Sequence, residues 1–207
     1  MKKLQQLKQP KQPKQSKQSE QIRHIYSDSL KELFVTKNMV LCGLLAALAI
    51  VLGMVASIDA GPYIRIGFSG IPNRVVDCLF GPVAGCLFGG ALDVLKYVMK
   101  PTGPYFFGLT FSAMLAGVLY GTILYRKPVT IKRILAAELL NKLLVNCVLN
   151  TLWISMLYGK GFFVLLPLRI LKNAVMLPID SMILYFSLNF VKKLVYKLNF
   201  FSGKMKA

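Results

Sequence analysis

The sequence predicts an all-α membrane protein, a bundle of six transmembrane helices preceded by a disordered basic N-terminal tail. Three observations predict this class: an apolar composition, long hydrophobic segments, and positive charge concentrated in the tail, one loop and the C-terminal end. Hydrophobic residues make up 55% of the 207 residues and charged residues 16%, whereas soluble domains average about 25% charged. The mean hydropathy of +0.55 agrees with a membrane protein.

The net charge is +18, and the distribution of this charge along the chain indicates a membrane orientation rather than a nucleic-acid function. Such a charge alone would suggest a nucleic-acid partner. Here, however, most of the basic residues lie in the tail, between Arg126 and Arg133, and after Phe190. A bundle that keeps these three regions on one side of the bilayer obeys the positive-inside rule. We therefore predict a multi-pass protein of the cell membrane with both termini in the cytoplasm and no nucleic-acid partner.

The chain divides into a tail and one domain. Residues 1–36 are predicted to form a basic low-complexity tail with a short interfacial helix, and residues 37–200 the six-helix substrate-binding domain. The tail as far as Glu20 contains almost nothing apolar, which is typical of disorder. From Ile22 to Val35, apolar residues recur at helical spacing, and this pattern predicts a helix that lies on the membrane surface.

Six apolar segments predict the membrane spans, at about 37–58, 69–80, 82–99, 110–125, 134–157 and 165–190. The second is short and is separated from the third only by Gly81-Pro82, where Pro82 suits a first helical turn. A pair of short hydrophobic segments interrupted by Gly and Pro points to a transporter's binding site. The stretch from Ile64 to Ala113 is therefore predicted to be the centre of a protein that binds a small molecule.

With this topology, many of the intramembrane polar residues are expected in the outer half of the bundle. Polar and charged side chains at membrane depth are costly and usually face a cavity, a partner or a ligand. Aromatic faces suit flat heterocycles, amides read donor and acceptor patterns, and cations suit carboxylates. The predicted ligand-binding residues are Arg65, Asn73, Asp93, Lys96, Tyr105, Phe106, Thr110, Ser112, Asn146, Asn150, Trp153, Arg169 and Asn173.

Several of these residues also have simpler interpretations. Asp93 and Lys96 are three residues apart and would pair with each other on a helix. Trp153 alone fits the belt of aromatic residues at a membrane surface. Asn150 and Arg169 are harder to explain in this way, because exposing them to lipid would be costly.

The first span carries two rows of small residues, Gly43 with Ala47 and Ala49 with Gly53. Small residues four apart let a second helix approach closely. These rows predict either docking on another membrane protein or packing within the same bundle.

The sequence predicts no cofactor, no metal site and no enzymatic activity. The four cysteines lie singly in apolar runs, and the only histidine, His24, lies in the tail. No GxxxxGK[ST] pattern occurs, so any ATP hydrolysis is expected in partner subunits. An intramembrane enzyme that uses Asp77, Asp93 or Asp180 is a competing hypothesis, although no nucleophile–base pairing supports it.

Three blocks resemble the folate family of substrate-binding S components of energy-coupling factor (ECF) transporters: RIGFSGIPN, LFGPVAGCLFGGALDVLKY and KPTGPYFFGLTFSA. LNTLWISMLYGK and LLPLRILKN resemble the fifth and sixth helices of that family, so the resemblance covers about residues 37–190. It implies capture of folate or a close derivative from outside and delivery together with a transmembrane coupling subunit and two cytoplasmic ATPases. An S component for another vitamin or a nucleobase is the alternative.

Overall fold

The computed structural model describes residues 25–55, 57–59, 65–101, 103–159 and 161–197, without the side chains of 57–59, 65, 66, 195 and 196. The predicted disordered tail lies outside the described residues as far as residue 24. The described helices are α1 (25–33), α2 (Thr36–Val55), α3 (Ile71–Met99), α4 (Phe107–Leu124), α5 (Ile131–Asn141), a π-helical segment (Lys142–Leu149), α6 (Asn150–Tyr158) and α7 (Phe162–Lys197). Strands β1 (Ser57–Asp59) and β2 (Arg65–Gly67) form a short antiparallel pair.

The predicted all-α membrane class is confirmed. Within the described residues, five helices are long and apolar enough to cross a membrane: α2, α3, α4, the rod Ile131–Tyr158 and α7 as far as Leu194. The predicted count of six is met only in part, because the second and third predicted spans are joined in α3. The first of them is about half the roughly 20 residues that a span needs.

Helix α3 consists of two arms that fold back on each other at Gly81. This residue leaves helical geometry (φ 88°, ψ −171°) and so separates residues 71–80 from residues 82–99. A positive φ of this kind suits glycine, which has no Cβ to clash. A Cβ built on Gly85 would lie in contact with Oδ1 of Asp77, which two residues eight apart in one straight helix could not do. The predicted Gly81-Pro82 turn is therefore present.

The predicted first span is wrong at its end. It continued to Ile58, whereas α2 ends at Val55 and Ile58 lies in β1, opposite Ile66 of β2. The apolar run continues past the helix, but the backbone groups of these residues pair across strands instead of along a helix.

Two glycines bring α4 into backbone contact with the second arm of α3. A Cβ on Gly117 would overlap the carbonyl carbon and oxygen of Gly85, and one on Gly121 would lie 2.5 Å from Cα of Pro82. No side chain fits at either crossing point. Close backbone approach of this kind is how membrane helices gain packing energy when there is little hydrophobic force between them.

The two ends of the bundle differ in packing. We call the end where Gly81 meets Tyr125 the Arg126 end, and the end that carries Met99 and Tyr105 the Tyr105 end. The buried apolar core lies mainly toward the Arg126 end, where α3, α4, α5 and α7 meet; its buried members include Val76, Leu79, Phe80, Ala84, Leu124, Ile134, Leu184 and Leu188. The Tyr105 end is more open and holds the cavity described below.

Helix α1 is fastened to the turn of α3 by one buried hydroxyl. Oγ of Ser29 donates to the carbonyl of Phe80 (2.6 Å) and accepts from the backbone N–H groups of Val83 (3.1 Å) and Ala84 (3.2 Å). The first arm thus gains a donor for a terminal carbonyl, and the second arm gains an acceptor for two terminal N–H groups that no helical carbonyl satisfies.

Charged contacts hold α1 against the loop after α4. The guanidinium of Arg126 donates to the carboxylates of Asp28 and Glu32, in the latter case at 2.8 Å. It also lies 5.0 Å from the ring centre of Tyr125. The helix predicted over 22–35 is present where described, and its position on a membrane surface stays a prediction.

Candidate ligand-binding site

A cavity of about 280 Å³ opens at the Tyr105 end, between α2, the second arm of α3, the start of α4 and α6. This volume is close to the lower limit of small-molecule sites, about 300–1,000 Å³. Its wall combines aromatic rings with a carboxylate and an ammonium group, contributed by Asp93, Lys96, Tyr97, Tyr105, Phe106 and Tyr158. Four of these residues, Asp93, Lys96, Tyr105 and Phe106, are among the predicted ligand-binding residues.

A chain of hydrogen bonds fixes the carboxylate side of the cavity. Oγ1 of Thr110 donates to Oδ2 of Asp93 (2.8 Å), and the hydroxyl of Tyr105 bonds to the same Oγ1 (3.0 Å). Because Thr110 gives its proton to Asp93, the Tyr105 hydroxyl must be the donor to Thr110. The ring of Tyr105 also packs on that of Tyr97, with centroids 5.1 Å apart. The structure thus brings three predicted residues together across α3 and α4.

Lys96 ties the loop before α3 to the cavity wall. Its Nζ donates to the carbonyl of Ser69 (3.1 Å). A Cβ built on Gly53 would lie 3.4 Å from Cβ of Ser69. Helix α2 therefore approaches the same loop at Gly53, a residue without a side chain. The hydrogen bonds described for Asp93 and Lys96 run to Thr110 and Ser69.

Trp153 is a residue of α6 whose side chain contacts α4 and Phe106 of the cavity wall. Its Nε1 donates to Oγ of Ser112 (3.1 Å), and its ring packs on Phe106, with centroids 5.7 Å apart. A Cβ on Gly108 would lie 2.5 Å from the indole. The indole is thus held by contacts within the bundle, and its predicted role in ligand binding stays a prediction.

A second group of predicted residues gathers between α6 and α7. Nδ2 of Asn150 donates to Oδ1 of Asn146 (3.1 Å), and Arg169 donates to the carbonyl of Asn146 (3.4 Å). Nδ2 of Asn173 lies 3.2 Å from Sγ of Cys147. Oδ1 of Asn150 is buried and has no hydrogen-bond partner among the described residues. Since buried polar atoms are rarely left without a partner, this oxygen is a candidate acceptor for a ligand N–H.

Two predicted residues are not brought into either group. Arg65 lies in β2, opposite Asp59, but its side chain lies outside the described part of the structure. Asn73 lies on the first arm of α3, and its Oδ1 is buried without a partner among the described residues. Its neighbour Arg74 contacts α4 and α5 rather than the cavity.

Two buried ion pairs were missed by the reasoning from sequence. Arg74 pairs with Glu138 (3.0 Å) and lies 5.1 Å from the ring centre of Tyr120. Lys142 pairs with Asp180 (2.6 Å). The available signal was the cost of charge at membrane depth, which requires a partner of opposite sign on a neighbouring span. Spacing within one helix cannot identify that partner.

A bundle of membrane-crossing helices with a polar, aromatic cavity at one end is the architecture of a membrane-embedded substrate-binding component. Residues 37–188 match the family described as ECF transporter, substrate-specific component. The chain belongs to this family. The resemblance predicted from the sequence blocks is thereby confirmed, and the family is a transport component rather than an enzyme.

Individual relatives agree with this assignment. The folate transporter FolT of Clostridium novyi (strain NT) is 40% identical over 133 residues, 64% of this chain and 77% of the relative. FolT of Leuconostoc mesenteroides subsp. mesenteroides is 29% identical over 161 residues, 74% of this chain and 85% of the relative. The riboflavin transporter RibU of Staphylococcus aureus (strain TCH60) is 27% identical over 137 residues, 64% and 67% of the two chains.

A solved structure shares the fold. The protein described as "Crystal structure of FolT bound with folic acid" aligns with a TM-score of 0.70 and 31% sequence identity. The alignment covers 76% of this chain and 97% of the solved chain. Nearly the whole of that structure therefore has a counterpart here.

Proposed function

We propose that this chain is the substrate-binding S component of an ECF importer for folate or a close derivative. The observation that carries the proposal is the alignment with FolT bound with folic acid, which covers 97% of that chain at 31% identity. In this function the chain captures its ligand from outside without a cofactor. It delivers the ligand inward together with a transmembrane coupling subunit and two cytoplasmic ATPases.

The chemistry of the two residue groups suits such a ligand. Folate combines a flat heterocycle that carries N–H groups with the carboxylates of a glutamate. Aromatic side chains such as Tyr105 and Phe106 can stack on a flat ring, and Oδ1 of Asn150 can accept from a ring N–H. Lys96 and Arg169 supply cations, and a guanidinium binds a carboxylate with two parallel hydrogen bonds.

The direct test is to identify the ligand. The purified protein would be analysed by mass spectrometry for co-purified small molecules and then titrated with folate and with riboflavin by calorimetry. Riboflavin is the second candidate because a riboflavin transporter is 27% identical to this chain. Folate binding without riboflavin binding supports the proposal. Binding of riboflavin alone, or of neither, contradicts it.

Arg169→Ala and Asn150→Ala are each expected to weaken folate binding without unfolding the protein. Loss of a buried hydrogen bond to a charged group costs about 1.5–3 kcal/mol, or roughly 10- to 150-fold in affinity. Calorimetric titration gives the affinity, and thermal unfolding gives the stability. Arg133→Ala, which removes an exposed cation at the Arg126 end, serves as the control. Unchanged affinity in both site variants would place the ligand elsewhere.

Both termini are proposed to be cytoplasmic, so that the Tyr105 end faces outward. The test uses a background in which the four native cysteines are replaced by serine. A cysteine at Lys204 should stay unlabelled by a membrane-impermeant thiol reagent in intact cells, and a cysteine at the exposed Pro104 should be labelled. The reverse pattern would invert the topology.

The coupling subunit is proposed to dock on the Gly43–Ala47 row of α2. The structure separates the two predicted rows. Among the described residues, no atom beyond the neighbouring backbone of α2 lies within 4 Å of a Cβ placed on Gly43, and Ala47 is exposed. Ala49, in contrast, is fully buried, and Gly53 packs against Ser69. The first row therefore offers a smooth surface to another membrane protein, and the second row serves the fold of this chain.

A further inference from the structure

The rod Ile131–Tyr158 changes its winding at Lys142–Leu149, which is π-helical between two α-helical parts. At its end the backbone N–H of Asn150 donates to the carbonyl of Val145, five residues earlier. Wide turns of this kind are rare, and they occur frequently at functional sites. Contacts from outside the rod are needed to stabilise this winding over the ordinary α-helix.

Helix α7 supplies these contacts. Arg169, Asn173 and Asp180 lie at i, i+4 and i+11 and so share one face of α7. Asp180 accepts from Nζ of Lys142, the first residue of the segment, at 2.6 Å. The side chains of this pair are only 5% and 15% exposed. A buried ion pair is costly to break, and its best-attested use is to fix the register of the elements it joins.

The middle of the segment is held by the same face. Arg169 donates to the carbonyl of Asn146, and Oγ1 of Thr151 donates to the same carbonyl (3.2 Å). Asn173 contacts Cys147 one residue later. Two side chains thus donate hydrogen bonds to the Asn146 carbonyl at the centre of the π-helical segment. One of these donors, Arg169, lies on α7 and so links the segment to that helix.

We propose that the Lys142–Asp180 ion pair is a positioning element for the ligand site. It fixes the π-helical register and thereby sets where Asn150 and Trp153 stand relative to Arg169. If the segment became an ordinary α-helix and its register shifted by one residue, α6 would rotate about the helix axis by about 100°. The pair itself does not line the cavity. The inference rests on the proposed function for its affinity readout, but not for its spectroscopic one.

The spectroscopic readout comes from Trp153, which is the only tryptophan of the chain. Its indole bonds to Ser112 and packs on Phe106, so its fluorescence emission reports the rotation of α6 in the ligand-free protein. The test variant is the double replacement Lys142→Met with Asp180→Leu. It removes the pair without leaving a buried charge, and such replacements are often neutral for stability.

The double variant is expected to fold with a thermal midpoint close to that of the wild type. Its Trp153 emission should shift. Its affinity for folate should fall by roughly 10- to 100-fold, which is the loss typical in metal sites when a residue that orients a ligating side chain is replaced. The charge-swapped variant, Lys142→Asp with Asp180→Lys, should restore both readouts. Arg74→Met with Glu138→Leu is the matched control, because it removes the other buried ion pair found among the described residues, and neither member of that pair belongs to the π-helical segment. The control should leave emission and affinity unchanged.

Each outcome decides the inference. Unchanged emission and affinity in the double variant would show that the pair has no positioning role. An equal shift in the matched control would show a general effect of losing buried charge and would also overturn the inference. If the double variant does not fold, the swapped variant decides alone: native emission supports a positioning pair, and shifted emission contradicts it. A wild-type protein that binds no folate would refute the proposed function, while the emission comparison would still test the positioning pair.

Discussion

Replacing Gly117 by leucine is expected to abolish the folded protein. A Cβ at this position would overlap the carbonyl of Gly85, and backbone cannot rotate away as a side chain can. Overpacking a core costs about 1–3 kcal/mol, occasionally more, and the upper part of this range applies when two helix backbones must separate. The measurement is the yield of monodisperse protein in detergent, followed by its thermal midpoint.

The matched control is Gly43→Leu. In the part of the chain that the structure describes, only the neighbouring backbone of α2 lies within 4 Å of a Cβ at Gly43, so the same side chain here should leave yield and thermal midpoint unchanged. Gly117→Ala should already lower the midpoint, because the clash arises at Cβ itself. A native midpoint in Gly117→Leu would mean that α4 does not cross α3 at this glycine.

Replacing Ala47 by tryptophan is expected to abolish uptake while folate binding by the isolated protein stays intact. Ala47 is exposed on α2, and a large ring there would hold the coupling subunit away from the smooth surface on which close approach depends. The measurements are cellular folate uptake, co-purification of the coupling subunit, and calorimetric titration of the isolated component.

Two further variants give this experiment its contrast. Val175→Trp adds the same ring to an exposed position of α7 and should transport normally. Gly53→Trp should impair folate binding as well as uptake, because Gly53 packs against Ser69 beside the cavity. Assembly and transport at wild-type rates by Ala47→Trp would exclude the Gly43–Ala47 row as the docking surface.

The sequence predicts most of the helices because their causes are local. Long apolar runs place the spans, and the Gly81-Pro82 pair places the turn in α3, where only a residue without Cβ tolerates the observed positive φ. The end of α2 is less predictable. Ile58 continues the apolar run, and only its pairing with Ile66, eight residues further on, removes it from the helix.

The sequence predicts a helical span at about 134–157 but does not predict the π-helical winding of Lys142–Leu149 within it. Its own residues do not reveal the wide turn, because most of the side-chain contacts to the segment come from Arg169, Asn173 and Asp180 on another helix. The side chains of Asn146 and Asn150 are nevertheless hydrogen-bonded, as i, i+4 spacing on a helix predicts. Asn146 lies in the π-helical segment, and Asn150 is the first residue of α6.

The candidate site was predictable where position in the chain implies depth. Asp93, Tyr105 and Thr110 follow one another around a single loop, so the turn that joins α3 and α4 brings them together. Asn73 was included by the same reasoning about depth, but the first arm of α3 directs its neighbour Arg74 to Glu138. Depth can be inferred from topology, whereas the direction of a side chain around its helix also needs the neighbouring helices.

The hydrogen bonds of Ser29 join α1 to the α3 hairpin, although α1 precedes the residues that match the family. The family match starts at residue 37, yet the side chain that satisfies Phe80, Val83 and Ala84 comes from α1. In an exchange of this component with a relative, a junction at residue 37 would leave the hairpin of α3 with three backbone groups unmet. A junction before residue 25 keeps the hairpin and its hydroxyl as a single transferable unit.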